Sequence, residues 1–486
     1  DFALRASGSD WSYTMFRDVL GQDASRLNTQ LDFMDFRPSI VFFNGEYMGI
    51  HNIREKVDAD FIEKNHFLEP GSFDLVENEE FAESGDLTNY NSLLGLLSND
   101  LSLDANFEIV SGIIDIENFT DLVITEMTTG NTSIDHNVMA WKPKEYGKWR
   151  WVIMDLDRGF FNPNNNLISF YVQQNSWPLR KLWNNEGYRT YLGKRLADQL
   201  FTTYHPERMK SLIDSHAKDI EEEIPFHVER WLGTTSSYGN AMPSVNYWYT
   251  EVCDLKTFVS LRPHALLSDL DRYGFNGTAD LYVSTYPFEA GNLKINNLSI
   301  PGNPWIGPYL REVTADLSVQ DKPGFTFKSW NEPGKKIIVS KGSSWRYNDN
   351  GTDPDPSWNA EEFNDAAWKT GTAQFGYGDG DESTQINFGN DSNHKYITSY
   401  FRLKFNLTPE NINLPGYIIG LLADDGAVVY LNGKEVFRTN LSCGTISGQS
   451  LAISGLSDPA ENQFKNYLLD KELLKEGENV LAVEIH

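Results

Sequence analysis

The chain has 486 residues, of which 69 are acidic and 41 basic, for a net charge of −28. A surplus of that size repels polyphosphate backbones at long range, which argues against nucleic acid as a partner. The length calls for two to four domains, each large enough to bury a core, and no apolar run approaches the roughly 20 residues that span a bilayer. The two cysteines, Cys253 and Cys443, fall in regions read as different domains, so both are expected to be unpaired buried hydrophobes.

In chain order, the first informative segment is LRASGSDWSYTMFRDVL (residues 4–20), which brings Arg5, Arg17 and Asp18. In IVFFNGEYMGIHNIREKVDADFI (residues 40–62), Asn44-Gly45 between apolar runs predicts a two-residue hairpin turn. A helix is expected to begin near Glu55 and Lys56. Residues 136–141 and 148–154 read as two strands joined by a turn around Gly147, with GNTSIDHN ahead of the first. The second ends on Asp155 and Asp157. A period of two puts both carboxylates on one side, and carboxylate oxygens are the hard ligands that Mg²⁺, Mn²⁺ and Ca²⁺ prefer. Apolar residues recur at helical spacing over 186–201, 206–223 and 247–272. From 276 to about 330 the chain is short-stranded and punctuated by Gly and Pro. Its remainder carries strand patterns with turn signals at Asp425-Gly426 and Asn432-Gly433. The fold class expected is multidomain, an α+β domain followed by all-β modules.

Four motifs occur in one order: R-x-S-G-x-D from Arg5 with a later R-D, the N-G-x-Y-x-G hairpin running into E-K-V-D, the GNT element, and the D-x-D-x-G-F strand end. In this combination residues 1–275 resemble the CotH kinase family, atypical secreted protein kinases named after a spore-coat protein. The resemblance implies an atypical kinase-like α+β domain over 1–275, whose N-terminal, lysine-bearing part would lie before Asp1. A small β-domain is expected over 276–334. Residues 335–486 resemble a galactose-binding-like jelly-roll β-sandwich cut short at its C-terminus, and the whole is read as a piece of a larger precursor.

What the resemblance implies for the site is carried over residue by residue. Asp155 corresponds to the metal-binding aspartate, with Asp157 as auxiliary ligand and Asn137 as a second amide ligand. Glu55 belongs to the nucleotide site, Lys56 stands beside it, and the Arg5 fork suits phosphate oxygens. The indole of Trp151 could stack on adenine or form a core wall. Where the family has its catalytic aspartate this chain has Ser133. Serine cannot act as a carboxylate base, so Asp135, two residues on, is the candidate to replace it.

The activity implied is transfer of the ATP γ-phosphate, with Mg²⁺ or Mn²⁺, to Ser or Thr of an extracellular protein acceptor. The rival reading is a non-catalytic, pseudokinase-like protein, secreted or at the cell surface, that binds a surface glycan or another cell-envelope component. Trp345, Trp358 and Trp368 could line a glycan site or fill the sandwich core. The acidic run GYGDGDES at 376–383 supplies hard oxygens for a structural Ca²⁺.

Overall fold

The computed structural model describes residues 2–133, 137–173, 178–236, 239–331, 334, 336–378, 380, 382–414, 416–455 and 462–486. The chain divides into two compact units, Asp1–Leu281 with Leu293–Pro301 and Gly307–Ser318, and Tyr282–Asn292 with Gly302–Ile306 and Val319–His486.

The first unit opens with β1 (Phe2–Arg5), α1 (Arg17–Ser25), β2 (Phe36–Phe43) and β3 (Glu46–Glu55). The β2–β3 turn has Asn44 at φ 50° and Gly45 at φ 85°, the pair of left-handed residues whose twist matches a right-handed hairpin. β3 lies centrally in an antiparallel sheet of order β1-β3-β2, with Arg5 opposite Asn52. Its alternation turns Ile50, Asn52 and Arg54 into the interior, at 2, 6 and 3% exposure. Glu55 stays in the strand, so the helix expected near it begins later: α2 (Ala59–His66) is capped by Asp58, whose side chain accepts from Phe61 N at 3.1 Å.

A second antiparallel sheet, of order β5-β4-β6-β7, comprises β4 (Phe73–Glu77), β5 (Phe81–Ser84), β6 (Met139–Pro143) and β7 (Arg150–Val152). Phe73, Leu75, Met139, Trp141 and Val152 pack with Phe61 and Ile62 of α2 into one core cluster. Between β5 and β6 run α3 (Thr88–Leu97), α4 (Asp104–Ser111) and α5 (Ile116–Thr129). Helix α5 is central: Phe119, Leu122, Val123, Ile124 and Met127 are all at most 3% exposed. Each such side chain stabilises the fold by about 1.5–3 kcal/mol before conformational entropy is counted. The helix stops at Gly130, at φ 74°, where Gly130 N donates to Met127 O and Asn131 N to Glu126 O. This left-handed glycine cap delivers Asn131 to the site described below.

Six further helices complete the unit: α6 (Leu167–Gln173), α7 (Pro178–Leu182), α8 (Glu186–Phe201), α9 (Pro206–Ile220), α10 (Ile224–Trp231) and α11 (Val245–Leu270). The caps explain the agreement with the periodicity. Asn185 accepts from Tyr188 N and starts α8, while Ser244 accepts from Tyr247 N and starts α11. Helix α11 packs along α9 and also touches α5, α6, α8 and α10. Both cysteines are disulfide-bonded and only half-buried, which corrects the expectation of unpaired buried thiols; the chemistry of the sulfur, more than its packing, decides what a cysteine does.

The second unit is all-β in its main body, built on a six-stranded antiparallel sheet with Ser399–Leu407 and Gly477–Ile485 at its centre. Strand alternation separates two apolar faces. Phe401, Val429 and Val483 lie on one with Tyr347, joined by Ile419 and Leu421 of the ribbon strand Tyr417–Leu421. Tyr400 and Ala482 lie on the other, with Trp358, Trp368 and Tyr430. Trp358 and Trp368 are thus core residues, stacked at 6.3 Å. Asn432-Gly433 makes the predicted hairpin turn between Ala427–Leu431 and Lys434–Thr439. Asp425-Gly426 does not turn a hairpin; both amides donate to His486 O. Asp379 and Asp381 of the acidic run lie outside the described residues.

Candidate active site

Three segments meet around Asp155 and Asp157. The first is the end of β1 with the turn that follows. Arg5 donates through one nitrogen, Nη2, to both Asp155 Oδ1 and, at 2.7 Å, Asp157 Oδ2. Ser7 and Gly8 are both left-handed, at φ 60° and 54°. Their turn aims Ser9 N–H at the same Asp157 oxygen, at 2.9 Å. A Cβ on Gly8 would lie 2.1 Å from Asp157 Oδ2, so the glycine of R-x-S-G is required both by φ and by close approach.

The second segment is the aspartate loop. β7 ends at Val152, and Asp155 is itself left-handed at φ 52°. The two carboxylates therefore converge through a turned backbone, and strand alternation is not the cause. A non-glycine residue held at positive φ marks a place where the surroundings over-determine the backbone. Here they do so from several directions. Leu156 N donates to Asp18 Oδ1 at 3.1 Å, and Phe160 N donates to Thr129 O at 2.5 Å. Arg262 of α11, 1% exposed, donates to Met127 O, Pro163 O and Asn165 O. Arg17 pairs with Glu251 at 3.0 Å and lies 3.9 Å over the Phe161 ring.

The third segment is the end of α5. Asn131 Nδ2 donates to Glu126 Oε2 at 2.8 Å and lies 3.5 Å from Asp155 O. Its Oδ1 accepts from Ser133 N, and its own carbonyl accepts from Tyr171 OH.

The electrostatics follow from crowding acids in a buried place. Burial first, then Asp155, raises the Asp157 carboxyl above its ordinary range, against the pull of Arg5. Burial, with Asp155 and Asp18 adding to it, pushes Glu126 up to about 8. Burial would raise Asp18 as well, but Arg54 and Arg5 hold it below the usual carboxylate range. Arg5 feels the converse: burial would lower it, and the three aspartates outweigh that. Three aspartates thus face two guanidiniums, Arg5 and Arg54, beside a Glu126 carboxyl that keeps its proton at neutral pH, and the surplus is negative.

That donor set fits a divalent cation in the manner of Mg²⁺, which is commonly held by one or two carboxylates plus substrate phosphates. Asp155, with a side chain 26% exposed, is the open member and Asp157, at 4%, the buried one. Among the described residues no group of three or more His, Cys, Asp or Glu side chains is disposed to hold a metal without such added ligands.

The sequence candidates are distributed as follows. Arg5, Asp155 and Asp157 come together. Asn137 lies beside Ser133, with its Nδ2 3.3 Å from Ser133 O. Glu55 accepts from Asp35 N at 2.8 Å, and exposed Lys56 pairs with Asp58 at 3.6 Å. Trp151 is 1% exposed, edge-on to Phe119 at 4.8 Å, with its backbone bonded to Asn118. Asp135 lies outside the described residues, with His136. Arg17 and Asp18, adjacent in sequence, turn apart: Arg17 to Asp10 and Glu251, Asp18 to Arg54 and Arg5. Arg54, Glu126 and Asn131 were missed by the sequence reading. The signal for Arg54 was present in the hairpin, since a strand that buries Ile50 and Asn52 also turns Arg54 inward.

Among solved structures, the chain is similar to a β-glucuronidase from glycoside hydrolase family 2, at 20% identity over 31% of this chain and 14% of that one, with a TM-score of 0.20. The Bifidobacterium dentium β-glucuronidase gives 17% identity over 31% and 20%, with a TM-score of 0.20. The Bacteroides uniformis enzyme gives 16% over 30% and 14%, with a TM-score of 0.21. The chain thus spans a fifth or less of the length of these three enzymes. No curated protein matches it. The CotH kinase protein family model, in contrast, matches residues 1–266, the part that holds every segment of the site above, and the chain belongs to the CotH kinase family.

Proposed function

We propose that the first unit is a metal- and ATP-dependent phosphotransferase acting on Ser or Thr hydroxyls of an extracellular protein. The observation that carries this reading is the single Arg5 nitrogen shared by Asp155 and Asp157 at a partly open, acid-rich site. Bound there, Mg²⁺ or Mn²⁺ would supply charge neutralisation for the phosphate oxygens. Asp155 and Asp157 are the residues to hold it. Gly8 and Ser9 fix the orientation of Asp157, Arg54 and Asp18 anchor the loop, and Arg5 offers a guanidinium fork to phosphate. Asp135 is the candidate to orient the acceptor hydroxyl in place of Ser133.

Phosphoryl transfer draws most of its catalysis from positioning and charge, so a weakened base would slow the reaction and leave binding in place. The test is incorporation of labelled γ-phosphate into the protein itself and a generic acidic acceptor, with Asp155→Ala as blank. Asp135→Asn should lower transfer strongly while nucleotide affinity stays. Wild-type incorporation no greater than the blank would defeat catalysis with those acceptors. It would favour the second reading, a pseudokinase-like surface protein that binds glycans, which rests on serine at position 133; Ser133→Asp should then restore some transfer.

A further inference from the structure

One segment of the second unit leaves a run of large apolar side chains in water. From Asp321 to Ile337 every described residue is exposed, among them Phe325, Phe327, Trp330 and Ile337, at 39, 43, 45 and 73%. The base of the segment is held by backbone bonds. Pro323 and Gly324, the latter at φ 91°, are the central residues of a turn that Phe325 N closes by donating to Lys322 O at 3.0 Å. Lys322 N donates to Ala290 O at 3.0 Å, and Asp321 Oδ1 accepts from Phe327 N at 2.9 Å. The Phe327 and Trp330 rings then meet at 5.2 Å. The aromatic rings are thus presented on an anchored turn and packed into no core.

The same segment reverses the charge of the chain. Residues 322–341 hold five lysines against a single acid, Glu332, in a protein whose net charge is −28. Lys322, Lys328 and Lys336 are exposed and pair with no carboxylate among the described residues. Lys341 closes the segment and sits 4.0 Å over the exposed Phe464 ring. Gly420 approaches that ring too, and exposed Ile418, two residues before it, lies on the same face of the strand Tyr417–Leu421. The apolar surface therefore continues past the last lysine.

We infer that this basic, aromatic segment seats the second unit on an anionic lipid surface. A spacer between domains needs only Gly, Ser, Pro or charge, which leaves the aromatic rings and Ile337 without a role. An anionic polymer would be met by the lysines alone. A lipid interface uses both: aromatic rings settle at headgroup level, and lysines are drawn to acidic headgroups. Charges are screened beyond about 8 Å at physiological ionic strength, so the headgroups feel the local lysines more than the acidic remainder. No helix among the described residues is long and apolar enough to cross a membrane, so the contact is peripheral. The inference concerns the second unit alone and does not rest on phosphoryl transfer.

The test is flotation of the full chain with vesicles of phosphatidylcholine alone and of an equal mixture with phosphatidylglycerol. The protein should float with the mixture and stay behind with phosphatidylcholine, and added salt should release it. Lys328→Gln combined with Lys336→Gln should weaken partitioning about 25-fold, fivefold for each lysine, the equivalent of about 1 kcal/mol apiece. Trp330→Ser should weaken it about tenfold. Both variants change exposed residues, so their melting temperatures should match wild type. No flotation with the mixed vesicles overturns the inference. Flotation that both variants leave unchanged overturns it as well, by placing lipid binding elsewhere on the chain. Binding lost with the lysines but untouched by Trp330→Ser also overturns it, and points to an anionic polymer as the occupant.

Discussion

Replacing Gly8 by alanine should be among the most damaging single-methyl changes in the first unit, and a control glycine allows the reason to be isolated. A Cβ added at Gly45, where φ is 85°, would meet nothing within 4 Å. Gly45→Ala therefore incurs only the left-handed backbone penalty, about 1–2 kcal/mol. Gly8→Ala incurs that penalty too, but its methyl would sit 2.1 Å from Asp157 Oδ2. The oxygen must retreat by about 1 Å, and it is the one that accepts from both Ser9 N and Arg5 Nη2. Weakening hydrogen bonds to a charged group adds roughly 1.5–3 kcal/mol. At about 2 °C per kcal/mol for a unit of this size, Gly45→Ala should lower the melting temperature by about 2–4 °C and Gly8→Ala by about 5–10 °C. Differential scanning calorimetry of the full chain, following the transition of the first unit, makes the comparison. Equal shifts for the two variants would refute the claim that Asp157 needs the glycine.

Arg54→Met should cost about 3 kcal/mol, the lower end for breaking a buried ion pair, because Asp18 keeps Leu156 N at 3.1 Å and Arg5 at 3.9 Å; adding Asp18→Asn should recover part of the loss, and a double-mutant cycle by denaturant melts measures the coupling. Glu126 gives a pH signature. Its folded pKa is raised to about 8 from 4.5, so the native state holds a proton that the unfolded chain has released, and its contribution is full below 4.5 and lost as pH rises to 8. Wild-type stability should thus fall from pH 5 to pH 8 by up to roughly 4 kcal/mol from this group. Glu126→Gln should flatten the profile over that window in thermal melts.

Much of the fold was legible because local chemistry and tertiary packing agree. The Asn44-Gly45 turn and the α8 and α11 segments carry turn or cap residues at their boundaries, so periodicity and capping mark the same ends. The site was legible only where a motif crossed segments. Arg5 and the two aspartates meet, yet the reason assigned from alternation was wrong, since β7 ends before Asp155 and a left-handed residue makes the convergence. Glu126 gave no signal in sequence because an acid on an otherwise apolar helix reads as solvent-facing until the helix is known to be buried all round. Arg262 and Arg17 find distant partners, Arg262 the carbonyls of Met127, Pro163 and Asn165 and Arg17 the Glu251 carboxylate and the Phe161 ring, which no local pattern encodes.

The central claim is that Asp155 and Asp157 form a metal-dependent nucleotide site. Isothermal calorimetry of ATP with Mn²⁺ against wild type and Asp155→Ala tests it most directly. Wild type should give a saturable heat that vanishes without Mn²⁺ and in Asp155→Ala, whose fold should be intact by circular dichroism. Equal heats for the two proteins, or none for wild type with ATP and Mn²⁺ together, would contradict it.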